Sequence, residues 1–194
     1  MGRKLITAPA SEPITLAEAK LHLRTPDSAD DALVTALITT ARQVAEEYTA
    51  RAFLTQTWEL WLDSFGCYNA EIELPLPPLQ SVTTLKYKDT SGTLTTLASD
   101  QYQIDTAAFP VKLKPAYGVT WPSIQRNVYG AVQVRFVCGW TSAAEIPAPI
   151  KAAMLLLIGH YYNNRESVVV GTITQKVPDT VNYLLDPYRC IPWG

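Results

Sequence analysis

The sequence predicts an α+β fold, a helical core interrupted by an antiparallel β module, and three observations predict it. Apolar residues recur at helical steps before residue 55 and again after residue 147. Between those stretches the period shifts to two, as in strands with one buried face. Pro, Gly, Asp, Ser and Asn punctuate that middle region at the short intervals expected of turns.

Each element follows from local chemistry. In "PITLAEAKLHLR", Thr15 and Glu18 have capping-box spacing, in which hydroxyl and carboxylate satisfy free N–H groups at a helix start. A short helix is expected over 16–24, broken by "TPDSADD" because Pro26 disfavours helix at Thr25. From Asp31 to about Phe53, Leu33, Leu37, Val44 and Tyr48 mark an amphipathic helix. The runs "TWELWLDSF", "AEIELPL", "SVTTLKYKD", "GTLTTLAS", "YQIDT", "VKLKP" and "AVQVRFVCGW" read as strands, with a hairpin turn near Asp89 to Gly92. "PAPIKAAMLLLIGHYYNNRE" returns to helix, apolar on most of its circumference and so expected to be covered on more than one side. "VPDTVNYLLDPYR" gives a short helix stopped at Pro187. The organisation expected is therefore 1–55 N-terminal helices, 56–141 inserted β module, 142–166 core helix, and 167–194 a C-terminal arm with a short helix.

Composition excludes several functions. With 194 residues, 47% hydrophobic and 18% charged, the chain can bury a core and reads as a folded soluble protein. A net charge of −2 gives no general attraction to phosphate backbones, so a sequence-independent nucleic-acid binder is disfavoured, and no sequence-specific nucleic acid is expected as partner either. The apolar run "IKAAMLLLIGHYY" is too short to span a bilayer, so no membrane is expected either. Cys67, Cys138 and Cys190 lack metal-ligand spacing and read as free thiols. His22 and His160 have no ligand partner at metal-binding spacing, so neither metal nor cofactor is expected. Nucleotide-binding, hydrolase and metalloprotease motifs are all missing, and the protein reads as no enzyme. An enzymatic site would have to be built from His160, Tyr161 and Glu166.

The residue types suited to binding gather after the last long helix. Tyr188, Arg189 and Trp193 belong to the classes enriched at interface hot spots. "VVVGTITQ" reads as an extended, β-forming arm.

The ordered set "ITLAEAKLHLR", "DDALVTALITTARQVAEEYTARAF" with "TQTW" after it, "PAPIKAAMLLLIGHYYNNRE" and "VPDTVNYLLDPYR" resembles the head-to-tail connector, or adaptor, proteins of tailed bacteriophages. The resemblance is to the phiE125 gp8 family and the gp6-like connectors. It implies a virion structural protein of the neck, made in the host cytoplasm, that forms a homo-oligomeric ring of about twelve copies under the portal. It also implies docking of a downstream neck, stopper or tail protein, with DNA passing through the lumen. Carried onto this sequence, the portal or subunit interface falls on Asn163, Asn164, Arg165, Glu166, Leu184, Leu185, Asp186, Pro187, Tyr188 and Arg189. Trp193 joins them on the hot-spot argument alone. On this reading, removing residues from Ser167 onward leaves a folded subunit that no longer binds portal. The alternative is a monomeric β-rich module that binds a ligand on its tryptophans.

Overall fold

The computed structural model describes residues 2–66, 70–164 and 179–190. The fold is α+β, and its contacts divide it into a β unit, from residues 2–10 and 55–139, and a helical unit, from the described parts of 11–54 and 140–189.

The β unit holds two antiparallel sheets. Strands β1 (Gly2–Thr7), β2 (Gln56–Leu62), β3 (Ile72–Leu74), β4 (Leu79–Lys88), β5 (Leu94–Leu97), β6 (Tyr102–Asp105), β7 (Val111–Pro115) and β8 (Val132–Cys138) follow in chain order. One sheet runs β1-β2-β8-β4-β5 and the other β3-β7-β6. Central β8 alternates as period two requires, with Val132, Val134, Phe136 and Cys138 buried and Gln133, Arg135 and Val137 only half-buried. Val134 lies between Leu60 of β2 and Leu85 of β4. Burying each of these side chains contributes about 1.5–3 kcal/mol. On the other face Glu59 sits opposite Arg135, accepts from its guanidinium at 2.8 and 3.0 Å, and takes the Trp61 indole N–H at 2.8 Å. A carboxylate that is 8% exposed is thereby satisfied.

The hairpin expected near Asp89 joins β4 to β5, with Gly92 at φ +86° and its N–H donating to the Asp89 carbonyl. The Asp89 carboxylate accepts from Ser91 and from the Thr93 backbone, and these bonds hold its pKa below the ordinary value. Strand β1 has no counterpart among the sequence expectations. "GRKLIT" shows no alternation, and all six residues are exposed. Only pairing with distant β2 makes it a strand, Lys4 opposite Glu59 and Leu5 opposite Trp58.

The helical unit is built from α1 (Leu16–Leu23), α2 (Asp31–Thr49), α3 (Ala148–Asn163) and α4 (Asp179–Leu185). The capping box is present: the Thr15 hydroxyl accepts from the Glu18 N–H, and the Glu18 carboxylate accepts from the Thr15 N–H at 2.7 Å. The Thr15 backbone bond, then the hydroxyl bond, lowers the Glu18 pKa. Stability from this carboxylate is therefore present above the ordinary Glu range and lost as pH falls through the lowered folded value. Thr15→Ala should cost about 1 kcal/mol in urea unfolding at neutral pH, and less in acid, where Glu18 is protonated.

Helix α2 buries Val34, Ile38, Ala41 and Ala45 along one face, about one residue round from the stripe expected from sequence: Leu33, Leu37 and Tyr48 are only half-buried and Val44 is exposed. The helix ends at Thr49, four residues before the Phe53 expected from periodicity. Ala50 adopts the left-handed conformation, φ +52°, and donates to the Glu46 and Glu47 carbonyls. No glycine announces this stop. The Glu46 side chain instead reaches beyond the helix end and accepts the Phe53 N–H at 2.8 Å. Helix α3 buries Ile150, Ala153, Met154, Leu157 and Ile158 completely, while Leu155, Leu156, Tyr161 and Tyr162 are only partly covered at the margin of the same core.

Helix α2 also carries a charged cluster with Glu12. Arg42, 6% exposed, donates through Nε to Glu12 at 2.7 Å and through Nη1 to Glu46 at 2.7 Å. Burial opposes its charge, but the bonds and charges of Glu12 and Glu46 outweigh that and raise its pKa above the ordinary arginine value.

Candidate docking surface

The segment from Asp179 to Arg189 joins the rest of the helical unit through its inward residues. Helical spacing puts Val181 and Leu185 on one face of α4, and both are buried in the core that α2 and α3 share. Leu184 and Tyr188 pack at its edge. Pro187 prevents α4 from continuing as an α-helix, and the chain tightens into a 3₁₀ turn over Asp186–Tyr188.

That turn is fastened to α2 by polar contacts. The Tyr48 hydroxyl donates to Asp186 Oδ1 at 2.6 Å, and the Arg51 Nε donates to the Tyr188 carbonyl. The Arg189 guanidinium lies 5.0 Å from the centre of the Tyr48 ring and 3.9 Å from Asp186. Asp186 stabilises the protonated phenol of Tyr48 and so raises its pKa. Tyr48 thus serves at once as donor to a carboxylate and as a face for a cation.

The structure brings Leu184, Leu185, Asp186, Pro187, Tyr188 and Arg189 together on the end of α2. Only part of the run faces outward. Leu185 is 1% exposed, whereas Asp186, Pro187 and Arg189 are exposed. Asn163 is exposed at the last turn of α3, and Asn164 caps that helix, its Nδ2 donating to the His160 carbonyl at 2.8 Å. Arg165, Glu166 and Trp193 lie outside the described residues. Three participants were missed from sequence. Tyr48 and Arg51 read only as helix residues, and Tyr183, 80% exposed, escaped although it stands one turn before exposed Pro187.

One sequence expectation is corrected. Removing everything from Ser167 onward would take Val181 and Leu185 out of the core and leave Tyr48 and Arg51 without Asp186 and Tyr188. The truncated subunit would therefore be destabilised, and its failure to bind would not isolate a docking role.

The other two readings gain little geometry. The His160 ring contacts Tyr161 at 5.7 Å and stands 3.5 Å from the Asn164 amide, and Glu166 is outside the described residues. Among the described residues no group of His, Cys, Asp and Glu is placed to hold a metal ion, and no helix is long and apolar enough to cross a membrane. In the β unit the Trp58, Trp61 and Trp121 indoles donate to Gln56, Glu59 and the Ala70 carbonyl. Trp121 also stacks on Phe65 at 4.6 Å beside an open groove of about 590 Å³. Trp140 belongs to the helical unit, tilted against Phe53 at 6.1 Å. The four described tryptophans are thus spent on separate local contacts and form no single platform among themselves.

Residues 13–105 match the family model of the phage gp6-like head-tail connector protein, a span that takes in α1, α2 and β2 to β6. No curated protein matches the chain. Three solved chains share its fold, each over 98% of this chain and 96% of their own. One comes from the neck of an empty gene transfer agent (GTA) particle computed with C6 symmetry, at 25% identity and TM-score 0.78. The second comes from the virion of a native GTA particle, at 24% identity and TM-score 0.78. The third comes from the neck of a native GTA particle computed with C12 symmetry, at 24% identity and TM-score 0.73.

Proposed function

We propose that this protein is a structural connector of the virion neck, a subunit that assembles into a ring under the portal and presents a surface to a downstream stopper or tail protein. The observation that carries the reading is the fold similarity over 98% of the chain to a neck chain of a GTA particle, reinforced by the gp6-like match over residues 13–105. Necks computed with C6 and C12 symmetry support a cyclic arrangement, which requires two different surfaces of each subunit to meet around a closed ring. A net charge of −2 supports a lumen through which DNA slides without being held. On this reading the protein works without catalysis or cofactor and occupies the host cytoplasm until it joins the particle.

The portal or subunit contacts divide into supports and contacts. Leu184, Leu185 and Tyr188 fasten the segment, and Asp186 and Arg189 orient it through Tyr48. Tyr183, Pro187 and Asn163 offer the outward surface, with Arg165, Glu166 and Trp193 assigned to the arm on sequence grounds alone. An exposed Tyr beside a Pro contributes much to binding when a partner desolvates it and little to the free subunit.

Light scattering and electron microscopy of the protein mixed with its cognate portal test the reading. A ring on the portal supports it; a monomer indifferent to the portal overturns it. Tyr183→Ala should weaken portal binding by at least about tenfold while the unfolding midpoint stays within a degree or two, since the side chain is 80% exposed. Undiminished binding would remove Tyr183 from the interface.

A further inference from the structure

The five-stranded sheet has two incomplete edges, and they lie at its opposite ends. Strand β1 closes one end, paired only with β2 among the described residues, its six residues all exposed. Leu5 and Ile6 are 41% and 38% exposed. At the other end β4 has ten residues, but β5 covers only Leu85 to Lys88. The first half of β4, Leu79–Thr84, therefore has an outer side that no described strand occupies.

We infer that neighbouring copies join by sheet pairing, β1 of one subunit lying along the vacant half of β4, Leu79–Thr84, in the next. The inference rests on the ring reading and adds the surface that closes the ring. Both edges are six residues long, so they match in length, although each carries register irregularities, between Leu5 and Thr7 in β1 and at Leu79/Ser81 and Val82/Thr84 in β4, that interrupt the ladder. They belong to opposite ends of one sheet, which is the heterologous geometry that cyclic assembly demands and that a two-fold contact does not use. Arg3 and Lys4 make β1 a poor partner for another β1, since like charges would face each other. "LQSVTT" has no charged residue and accepts them without repulsion. A register irregularity between Leu5 and Thr7 further limits promiscuous pairing along β1.

Hydrogen exchange read by mass spectrometry, on the monomer and on the portal-bound assembly, tests this while light scattering reports the ring separately. Amides in both 2–7 and 79–84 should exchange at least about tenfold more slowly in the ring than in the monomer. A ring with either segment unchanged overturns the edge pairing and leaves the ring reading intact. Protection already complete in the monomer overturns it in favour of cover from the same chain. A photo-crosslinker at Lys4 that captures portal instead of residues 79–84 of a second copy overturns it in favour of the portal. Failure to form a ring overturns both readings. Ser81→Lys and Thr83→Lys, each at an exposed β4 position, should reduce the ring fraction, and the added Lys4→Glu should restore it for whichever of the two lies opposite. No loss with either lysine would count against the pairing.

Discussion

Arg42→Ala should destabilise the helical unit by about 3–5 kcal/mol, because it leaves two carboxylates facing each other without the cation that joined them. The Arg42 side chain is 8% exposed, and those of Glu12 and Glu46 are 27% and 13% exposed, so water cannot replace the guanidinium fully. Glu46 has a second duty, since its other oxygen holds the Phe53 N–H where the chain leaves α2. The damage should therefore extend to the α2 terminus. For a chain of this size the loss corresponds to a fall of about 6–20 °C in the unfolding midpoint. Calorimetry of Arg42→Ala beside the triple variant Glu12→Gln, Arg42→Met, Glu46→Gln gives the check. The triple variant removes all three charges and should recover much of the loss. If Arg42→Ala unfolds within about 1 kcal/mol of the wild type, the cluster is solvated and the argument fails.

Leu185→Ala should cost about 2–5 kcal/mol through the cavity it opens. Its consequence should be uneven, because α4 has only seven residues and depends on Leu185 and Val181 for its place in the core. The variant should lose protease resistance around 179–189 before the rest of the helical unit unfolds, and portal binding should fall with it. Tyr48→Phe, which removes one solvent-exposed hydrogen bond to Asp186, should leave protease resistance around 179–189 close to that of the wild type. Limited proteolysis followed by mass spectrometry separates the two. Equal susceptibility in wild type and Leu185→Ala would mean that α4 is held by something other than its apolar face.

What could be read from sequence follows the range of the interactions involved. The α1 cap and the β4 to β5 hairpin rest on contacts within a few residues, and both were legible; α2 was legible as a helix but its inward stripe was misplaced, since Val34, Ile38, Ala41 and Ala45 face the core while Val44 is exposed. The α2 stop at Ala50 was not legible, since its cause is tertiary: Glu46 reaches Phe53, and Arg51 reaches the distant Tyr188 carbonyl. Strand β1 was hidden for a related reason, its partner β2 lying some fifty residues away and its own pattern being blank. The candidate surface was half legible. Pro187, Tyr188 and Arg189 stood out as residue types, but their division into anchors and outward contacts depends on Tyr48, which no local pattern links to Asp186. Glu59 shows the limit most plainly, since alternation assigned it to the solvent face and Arg135 with Trp61 cover it.

The interleaving of the two units has a consequence for synthesis. Strand β1 leaves the ribosome first, yet its sheet lacks a centre until β8, around residue 138, has emerged. At about 5–20 residues per second that delay is several seconds or more. Helices α1 and α2 wait longer still, for α3 and then for α4 near residue 185. Until β8 emerges, apolar faces of both units stand open at once, and those of α1 and α2 stay open after the sheet can close, so the nascent chain should be a client of ribosome-associated chaperones.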